Sequence, residues 1–313
     1  MKKSIPKKYH FNAFGFNILS DIHLPELPQI PITSNDSGIF IEKSDLSSLW
    51  EALASDNQFF YIKEDLIMFR IPDNAIYMIQ EGKEIFYSPF ENAKEDHLRL
   101  YLLGTCMGAL LLQRKILPLH GSAIAIEGKA YAIVGDSGAG KSTLASAMLK
   151  RGYQLISDDV IPITLNEKNT PIVTPAYPQQ KLWLDSLNQF GMKSNQYRPI
   201  IDRETKFAIS ITNQFVSKPL PLAGVFELVK SEKDEMKLNP IQSLHRIHTL
   251  FNHTYRNFFI APSGLMKWHF STTVKMCEDI DIYKLSRPTS RFTAHNLTDL
   301  ILSAIEKEKK LYG

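Results

Sequence analysis

The chain has 313 residues, of which 44% are hydrophobic and 22% are charged, and its formal net charge at pH 7 is +3. A chain of this length and composition can bury one large core or two ordinary ones, so it indicates a globular protein. The small net charge excludes a strong overall attraction to nucleic acid or to an anionic membrane, and we expect neither as a partner.

The cysteines and the N-terminal segment favour a cytoplasmic location. Cys106 and Cys277 lie far apart and belong to no Cys/His ligand pattern, so neither a disulfide framework nor a zinc site is predicted. The basic start "MKKSIPKKYH" is followed by the polar and aromatic "FNAFGFNILSD", which argues against a signal peptide. A stretch of about 18 apolar residues, which a membrane-spanning helix requires, is absent from the sequence.

The character of the sequence changes near residue 90. Before it, short runs rich in Phe, Tyr and Ile, such as "GIFIEK", "LIMFRI" and "AIYMIQ", are separated by turn-forming residues and predict short strands. The segment "SDLSSLWEALASD" predicts a helix that Ser44 or Asp45 could cap. We therefore predict a smaller, strand-rich mixed α/β domain over residues 1–90 and a second domain over residues 91–313.

A long buried helix is predicted directly after residue 90. The run "ENAKEDHLRLYLLGTCMGALLLQRK" has acidic residues in its first turns, apolar residues at near-helical spacing and basic residues at its end. Pro118 is expected to stop this helix, because proline cannot continue the backbone hydrogen-bond pattern.

The run "HGSAIAIEGKAYAIV" predicts a β-hairpin. Two alternating small and apolar stretches flank the dipeptide "EG", which can form a two-residue turn. This turn pairs Ile126 with Lys129, and counting back along the ladder places His120 opposite Gly135. Directly opposed residues lie about 5 Å apart. His120 is therefore predicted to lie at the edge of the loop that follows, although a lone histidine beside an apolar strand is more often structural.

That loop, "GDSGAGKST", matches the phosphate-binding pattern G-x-x-x-x-G-K-[ST] and lies between a predicted strand and a predicted helix, as the motif requires. Its backbone N–H groups and the helix N-terminus would hold the phosphates of a nucleotide. Lys141 would reach the β- and γ-phosphates, and the hydroxyl of Ser142 would bind Mg²⁺. The predicted nucleotide-binding residues are Gly135, Asp136, Ser137, Gly138, Ala139, Gly140, Lys141, Ser142 and Thr143.

Two carboxylates, Asp158 and Asp159, follow the next predicted strand, "YQLIS". Ligands of open α/β sheets gather at the carboxyl ends of the strands, so these side chains are expected beside the phosphates. Because successive side chains of a regular strand point to opposite faces, one carboxylate suits the metal and the other an attacking hydroxyl. Without the phosphate-binding loop nearby, such a pair would indicate a solvated turn or a helix cap.

The run "LHGSAIAIEGKAYAIVGDSGAGKSTLASAMLKRGYQLISDDV" resembles the nucleotide-binding core of the HPr kinase/phosphorylase family. Outside it, "FGFNILSDIHLPEL", "YLLGTCMGALLLQRKILPLHGSA" and "TPAYPQQKLWLD" are more similar to the HPr-kinase-like proteins encoded with lasso-peptide biosynthesis genes, which are associated with phosphorylating a serine at the C-terminus of a precursor peptide. The resemblance implies an α/β fold in which an HPr kinase/phosphoenolpyruvate-carboxykinase-like P-loop kinase core accompanies the smaller N-terminal domain.

The same resemblance implies roles for individual residues. It implies Mg²⁺ at Ser142 and Asp159, a base or acceptor-orienting role for Asp158, and support on the phosphate side from His120. The chain departs from the family at Thr143, where HPr kinases usually carry a glutamate, and it lacks a recognisable signature for the reverse, phosphorolytic reaction. We therefore expect a kinase without phosphorylase activity.

A further cation is expected from the C-terminal half, because phosphoryl transfer needs positive charge at the migrating group. Lys206 in "DRETKFAI" and Arg256 in "HRIHTLFNHTYR" are the two candidates, and a solvated charge is the alternative for each. The histidines of the second segment, His245, His248 and His253, lack a tight metal-ligand spacing and are expected to serve packing.

These observations predict a serine kinase that depends on Mg²⁺ and a nucleotide, with ATP as the expected donor although the sequence does not fix the base. The preferred acceptor is a lasso precursor peptide with a C-terminal serine. The alternatives are a kinase of an HPr-like protein, a small-molecule kinase, and a nucleotide-dependent regulatory switch that transfers no phosphate. The sequence leaves the oligomeric state open, a homo-oligomer included.

Overall fold

The structure is a computed structural model that describes residues 7–31, 38–55, 58–200 and 205–312. These residues form two compact units that divide between Pro118 and Leu119, and residues 255–270 belong to the first unit. The boundary predicted at residue 90 lies inside the first unit and stays a prediction. In the parts of the chain that are described, no helix is both long enough and apolar enough to cross a lipid bilayer.

The first unit is built on a seven-stranded sheet in the order β1-β2-β3-β7-β6-β5-β4. At its first helix Leu46, and not the predicted Ser44 or Asp45, occupies the N-cap position, although a carboxylate oxygen of Asp45 accepts a hydrogen bond from the backbone N–H of Ser47 at 3.0 Å. The helices and strands of this unit are β1 (Tyr9–Ala13), β2 (Phe16–Ser20), β3 (Ile39–Lys43), α1 (Ser47–Leu53), β4 (Phe60–Lys63), β5 (Leu66–Ile71), β6 (Ala75–Gln80), β7 (Glu84–Pro89), α2 (Glu95–Tyr101) and α3 (Met107–Gln113).

The long helix predicted after residue 90 is present, but one π-helical turn over residues 102–106 joins α2 to α3. Two glycines near this turn allow a close contact with Tyr255, since an added Cβ would lie 2.9 Å from the tyrosine hydroxyl oxygen at Gly104 and 2.6 Å from a ring carbon at Gly108. The helix ends at Gln113, several residues before Pro118, because the chain turns and enters the next strand at Leu117.

The second unit contains a seven-stranded sheet in the order β11-β10-β8-β9-β15-β17-β16 and a three-stranded sheet in the order β12-β14-β13. Its elements follow those above in chain order, and two of them, β8 and α7, begin in residues of the first unit. They are β8 (Leu117–Ile126), β9 (Lys129–Val134), α4 (Lys141–Leu149), β10 (Gln154–Leu165), β11 (Pro171–Val173), β12 (Gln179–Trp183), α5 (Leu184–Gln189), β13 (Arg198–Pro199), β14 (Lys206–Ser210), β15 (Leu220–Ser231), β16 (Lys237–Pro240), α6 (Leu244–Asn252), α7 (Met266–Asp279), β17 (Asp281–Pro288) and α8 (Ala294–Tyr312).

Together the units confirm the predicted α/β class with a strand-rich N-terminal part. The predicted hairpin is also confirmed: Ile126 pairs with Lys129 across a turn in which Glu127 and Gly128 have positive φ angles of 49° and 76°. The strand β9 then runs parallel to β15, and β15 runs parallel to β17. Helix α4 packs on this sheet through a buried apolar cluster that includes Leu144. This arrangement fixes the start of α4 above the strand ends.

Candidate active site

The phosphate-binding loop connects β9 to α4 and depends on glycine at three positions. Gly135, Gly138 and Gly140 have φ angles of 145°, 76° and 106°, a region in which residues with a side chain are strained. Gly135 also has no room for a side chain, because an added Cβ would lie 2.4 Å from the carbonyl oxygen of Leu228 on β15. The loop is therefore held against the neighbouring parallel strand in a conformation that only glycine permits.

Lys141 is buried at the first position of α4, and its ammonium group lies inside the curve of the loop. Its Nζ donates to the carbonyl oxygens of Gly135 at 2.8 Å and Asp136 at 3.0 Å. Burial lowers the pKa of Lys141, and the nearby carboxylates only partly oppose this effect. The loop thus carries a fixed cation at the place where its backbone would meet a phosphate.

The two predicted carboxylates lie within a strand rather than at its end. The prediction that the strand stops before Asp158 is wrong, because β10 continues from Gln154 to Leu165. The strand is irregular at this point, since Asp159 has a φ angle of 82°, in the left-handed region that non-glycine residues rarely adopt. Such strain persists where surrounding contacts hold the residue, and it frequently marks a functional site.

Asp158 is buried, with 4% of its surface exposed, and each of its carboxylate oxygens is hydrogen-bonded. Its Oδ1 accepts hydrogen bonds from Ser122 Oγ at 2.5 Å and from Ser142 Oγ at 3.0 Å. Its Oδ2 accepts one from the backbone N–H of Lys181 at 2.9 Å. Burial raises the pKa of Asp158, although these bonds to the charged form act in the opposite direction.

Asp159 has different partners and a more accessible side chain, of which 22% is exposed. Its Oδ2 lies 2.8 Å from Lys181 Nζ, and its Oδ1 lies 3.4 Å from His120 Nδ1. The same histidine nitrogen lies 3.1 Å from the backbone oxygen of Asp159. Burial raises the pKa of this carboxyl, but Lys181 and His120 outweigh it and hold the pKa well below its usual range. The side chain of Asp159 is therefore ionised and fixed in direction.

The hairpin ladder ends at the pair Gly121 with Val134, so His120 lies one residue beyond it, next to the position that the register predicts opposite Gly135. Its backbone N–H donates to the carbonyl oxygen of His253 at 2.7 Å, and the His253 ring contacts Glu227 Oε1 at 3.0 Å. The first bond anchors β8 to the residue that follows α6, and the second links that residue to β15.

The two candidate cations from the C-terminal half have different positions. Lys206 lies on β14 with its ammonium group 5.3 Å from the ring centre of Trp183, and its positive charge acts on the pKa of Asp158. Arg256 belongs to the first unit, where its Nη2 donates to Thr105 Oγ1 at 3.2 Å. A contact of Arg256 with a transferring phosphoryl group stays a prediction.

Sequence reasoning missed Lys181 and Ser122 as site residues. Lys181 contacts both carboxylates, through its backbone N–H and through its ammonium group, and it is itself buried. A lysine in the middle of the otherwise uncharged strand segment "QQKLW" is the signal that could have identified it, because a buried lysine requires an anionic partner. Ser122 offered no such signal, since it lies in the run of small residues from Gly121 to Ala123 in β8.

The positions of three further predicted residues are also defined, and their predicted roles stay predictions. Thr143, which stands where HPr kinases usually carry glutamate, shares a hydrogen bond of 2.8 Å with Ser186 Oγ of α5. His245 and His248 are exposed on α6. Within the described residues, no group of three or more His, Cys, Asp or Glu side chains is arranged to hold a metal ion.

Comparison with known proteins identifies the part of the chain that carries this geometry. Residues 113–183 match the family model of the HPr Serine kinase C-terminal domain. Among curated relatives, the HPr kinase/phosphorylase of Ralstonia pickettii (strain 12J) is 34% identical over 91 residues, which are 29% of this chain and 26% of that protein. The HPr kinase/phosphorylase of Enterococcus faecalis (strain ATCC 700802 / V583) is 29% identical over 147 residues, 44% of each chain.

Among solved structures, the Hpr(Ser) kinase/phosphatase from Coxiella burnetii is matched with a TM-score of 0.33 and 20% identity, over 63% of this chain and 99% of that chain. The chain spans only 26% of the length of the Ralstonia pickettii relative. The matched residues 113–183 nevertheless contain the loop, both aspartates and the side chains that contact the two carboxylates. Over this segment, the predicted resemblance to the HPr kinase/phosphorylases is confirmed.

Proposed function

We propose that the protein is a kinase that transfers the terminal phosphoryl group of a nucleotide, with ATP as the donor, to a serine hydroxyl. The observation that carries this proposal is the convergence of Lys141, Ser142, Asp158 and Asp159 at one point of the second unit. A phosphate-binding loop alone supports nucleotide binding. The two carboxylates beside it add a place for a metal ion and a place for an acceptor, which are the parts that phosphoryl transfer requires.

The positions of Ser142 and Asp158 fit Mg²⁺. Their oxygen atoms lie 3.0 Å apart. Two neighbouring ligands of an octahedral Mg²⁺, each about 2.0–2.1 Å from the ion, are separated by about 3 Å. We therefore assign the metal to Ser142 and Asp158, in place of the predicted pair Ser142 and Asp159. When bound with the nucleotide, the ion would neutralise charge on the phosphate oxygens.

Asp159 is then the residue that orients the acceptor. It is more accessible than Asp158, and Lys181 and His120 hold its carboxylate in one direction. An ionised carboxylate in this position accepts a hydrogen bond from the serine hydroxyl and aligns the hydroxyl oxygen with the phosphorus atom. The proton of the hydroxyl passes to Asp159 as the new O–P bond forms and the bond to the leaving nucleotide diphosphate breaks.

The remaining cations reduce the repulsion between the acceptor and the nucleotide. Lys141 now donates to two loop carbonyl oxygens, and a phosphate oxygen is a stronger, charge-assisted acceptor for the same ammonium group. Lys206 adds positive charge on the side of Asp158. Catalysis in this site therefore rests on positioning and charge neutralisation by groups that are already in place.

For the acceptor, we propose a flexible peptide that ends in serine, as in a lasso precursor. The segments outside the nucleotide-binding core that resemble the lasso-associated proteins support this choice. A disordered tail can bring its last hydroxyl into line with the nucleotide, whereas an internal serine must carry chain on both sides. The curated relatives, which bear the name HPr kinase/phosphorylase, favour an HPr-like protein as the second candidate.

The deciding experiment offers the protein ATP and Mg²⁺ together with one acceptor at a time, and identifies the product by mass spectrometry. The acceptors are a peptide that ends in serine, the same peptide with alanine at its end, the same peptide extended by several residues, an HPr-like protein and a set of hydroxylated metabolites. The Lys141→Ala variant is the inactive control. We expect one added phosphate on the first peptide only.

Other outcomes would replace the proposal. Labelling of the HPr-like protein without labelling of any serine-ended peptide would select the second candidate. Labelling of a metabolite alone would indicate a small-molecule kinase. Nucleotide hydrolysis that is unaffected by every acceptor, and that survives the Asp159→Asn substitution, would indicate a regulatory switch.

A further inference from the structure

A cavity of about 310 Å³ lies beside the phosphate-binding loop, and neither of the two aspartates is among the residues that line it. This volume is within the range of small-molecule sites, which begin at about 300 Å³. The cavity is lined by residues of the loop, of α4 and α5, of the end of β17 and of the start of α8. The residues that matter for its chemistry are Thr143, Leu144, Asp185, Leu228, Arg287 and Phe292.

The order of the strands sets the direction in which a nucleotide would lie. The strand β9, which leads into the loop, has β8 and then β10 on one side and β15 and then β17 on the other. Asp158 lies on β10, whereas Leu228 and Arg287 lie on β15 and β17. The proposed transfer requires the γ-phosphate to lie near Asp158 and Asp159. The nucleoside end must then point in the other direction, toward the cavity.

The contacts of the loop connect it to this cavity. Arg287 Nε donates to the carbonyl oxygen of Ala139 at 2.7 Å. The same nitrogen also lies close to Gly140, 3.4 Å from where a Cβ of that residue would be. Thr143, the residue after the metal-binding serine, is hydrogen-bonded to Ser186 in the cavity wall. A nucleotide whose phosphates occupy the loop would therefore reach the cavity directly, with the Arg287 guanidinium beside its phosphates.

The lining of the cavity suits a nucleoside. Leu144 and Leu228 are buried and form an apolar floor on which a flat base can rest. The ring of Phe292 adds an aromatic surface, and an edge contact with Phe190, at 5.4 Å between ring centres, holds that ring in place. Asp185 is exposed at the start of α5 and supplies the carboxylate among the residues that line the cavity. A carboxylate accepts hydrogen bonds from hydroxyl groups, as a ribose presents.

We propose that this cavity binds the nucleoside of the phosphoryl donor, with Asp185 accepting hydrogen bonds from the ribose hydroxyls and the base resting against Leu144, Leu228 and Phe292. The inference rests on the proposed function, because it requires that the loop binds a nucleotide. It adds the second half of the donor site, which the loop motif does not define.

The test compares MgATP with magnesium tripolyphosphate, which has the phosphates but no nucleoside, by isothermal titration calorimetry. Wild-type protein should bind MgATP at least about tenfold more tightly, because tripolyphosphate gains nothing from the cavity. Asp185→Ala and Phe292→Ala should each weaken MgATP binding by roughly three- to thirtyfold and leave tripolyphosphate binding within about twofold. Lys141→Ala should weaken both ligands.

Two further comparisons make the test specific. Asn188→Ala is the matched control for Asp185→Ala, since Asn188 is exposed on the same short helix and does not line the cavity. ATP analogues that lack the 2′- or the 3′-hydroxyl test the ribose contact. At least one of them should bind wild-type protein less tightly than ATP does, and that difference should disappear in Asp185→Ala, because the hydroxyl and its acceptor form one interaction.

Each result tests either the nucleoside site or the proposed kinase function. Equal affinities of the wild type for MgATP and tripolyphosphate, or equal effects of Asp185→Ala on both ligands, would overturn the nucleoside site while leaving the kinase intact. Unchanged MgATP binding in the cavity variants, together with a higher KM for the acceptor, would assign the cavity to the acceptor. Failure of the wild type to bind any nucleotide would overturn the proposed function as well.

Discussion

Ser142 Oγ donates a hydrogen bond of 3.0 Å to Asp158 Oδ1, and this bond joins the first turn of the helix after the phosphate-binding loop to the strand β10. Asp159, the next residue along the chain, turns instead toward Lys181 and His120. The two adjacent carboxylates share Lys181 but differ in their other partners, and their proposed roles can be tested separately.

The first prediction separates metal binding from acceptor orientation. Asp158→Asn should weaken nucleotide binding only when Mg²⁺ is present, because it removes a charged metal ligand. Asp159→Asn should keep MgATP affinity within about tenfold while transfer falls by at least about a hundredfold, the range expected for loss of a base. Calorimetry with and without Mg²⁺, combined with single-turnover transfer rates, measures both effects. The opposite pattern would restore the assignment of Asp159 to the metal and Asp158 to the acceptor.

The second prediction concerns the cation inside the loop. Lys141→Ala should lower the rate of phosphoryl transfer by several orders of magnitude, because a preorganised charge beside the transferring group is worth roughly 3–5 kcal/mol in comparable sites. Lys129→Ala is the matched control, since Lys129 is exposed at the other end of β9. Near-normal turnover in a folded Lys141→Ala protein would contradict the assignment.

The sequence was sufficient for the parts of this site that depend on local pattern. The loop spacing, the two-residue turn and the alternation of β8 and β9 are all short-range features, and from them the register that places His120 could be counted. The prediction of the roles of the two aspartates rested on a wrong expectation about the strand. It assumed a regular strand that ends there, whereas β10 continues and Asp159 adopts a left-handed conformation.

The contacts that decide the roles of the aspartates come from distant parts of the chain. Lys181 lies on β12, in a different sheet from Asp159, so no spacing in the sequence relates the two residues. The boundary predicted at residue 90 rests on a change of composition, which carries no information about tertiary contacts. Composition changes at residue 90, but the helix that follows is hydrogen-bonded to the N-terminal strands, for example from Gln113 Nε2 to the carbonyl oxygen of Ile79 at 3.2 Å.

The third prediction tests the close packing of the loop against β15. Gly135→Ala should reduce nucleotide affinity by at least about tenfold, because its Cβ would lie 2.4 Å from the carbonyl oxygen of Leu228 and one of the two backbones would have to move. Gly152→Ala provides the comparison. Gly152 also has a positive φ angle, of 89°, but nothing lies within 4 Å of the added Cβ.

Comparing Gly135→Ala with Gly152→Ala separates the effect of the steric clash with Leu228 from the effect of placing alanine at a positive φ angle. Gly152→Ala should lower the free energy of unfolding by about 1–2 kcal/mol, the cost of a left-handed residue, and leave MgATP binding unchanged. If both variants bind MgATP equally well, the loop does not depend on its contact with Leu228. Calorimetry and urea denaturation of the two proteins provide both measurements.

The last prediction is a pH dependence of stability that arises from His269 in α7. Burial lowers the pKa of His269 from 6.5 to about 4. Between these two values, the unfolded chain binds a proton at this residue and the folded protein does not. The contribution of His269 to the free energy of unfolding should therefore be constant above pH 6.5 and should decrease as the pH falls toward about 4, by up to about 1.4 kcal/mol per pH unit.

The His269→Gln variant removes the titrating group. Its free energy of unfolding should therefore change less steeply over this pH range than that of the wild type, whatever its stability at neutral pH. Urea denaturation of the two proteins at several pH values measures the slopes. Equal slopes for the wild type and His269→Gln would show that the buried imidazole gains its proton without unfolding.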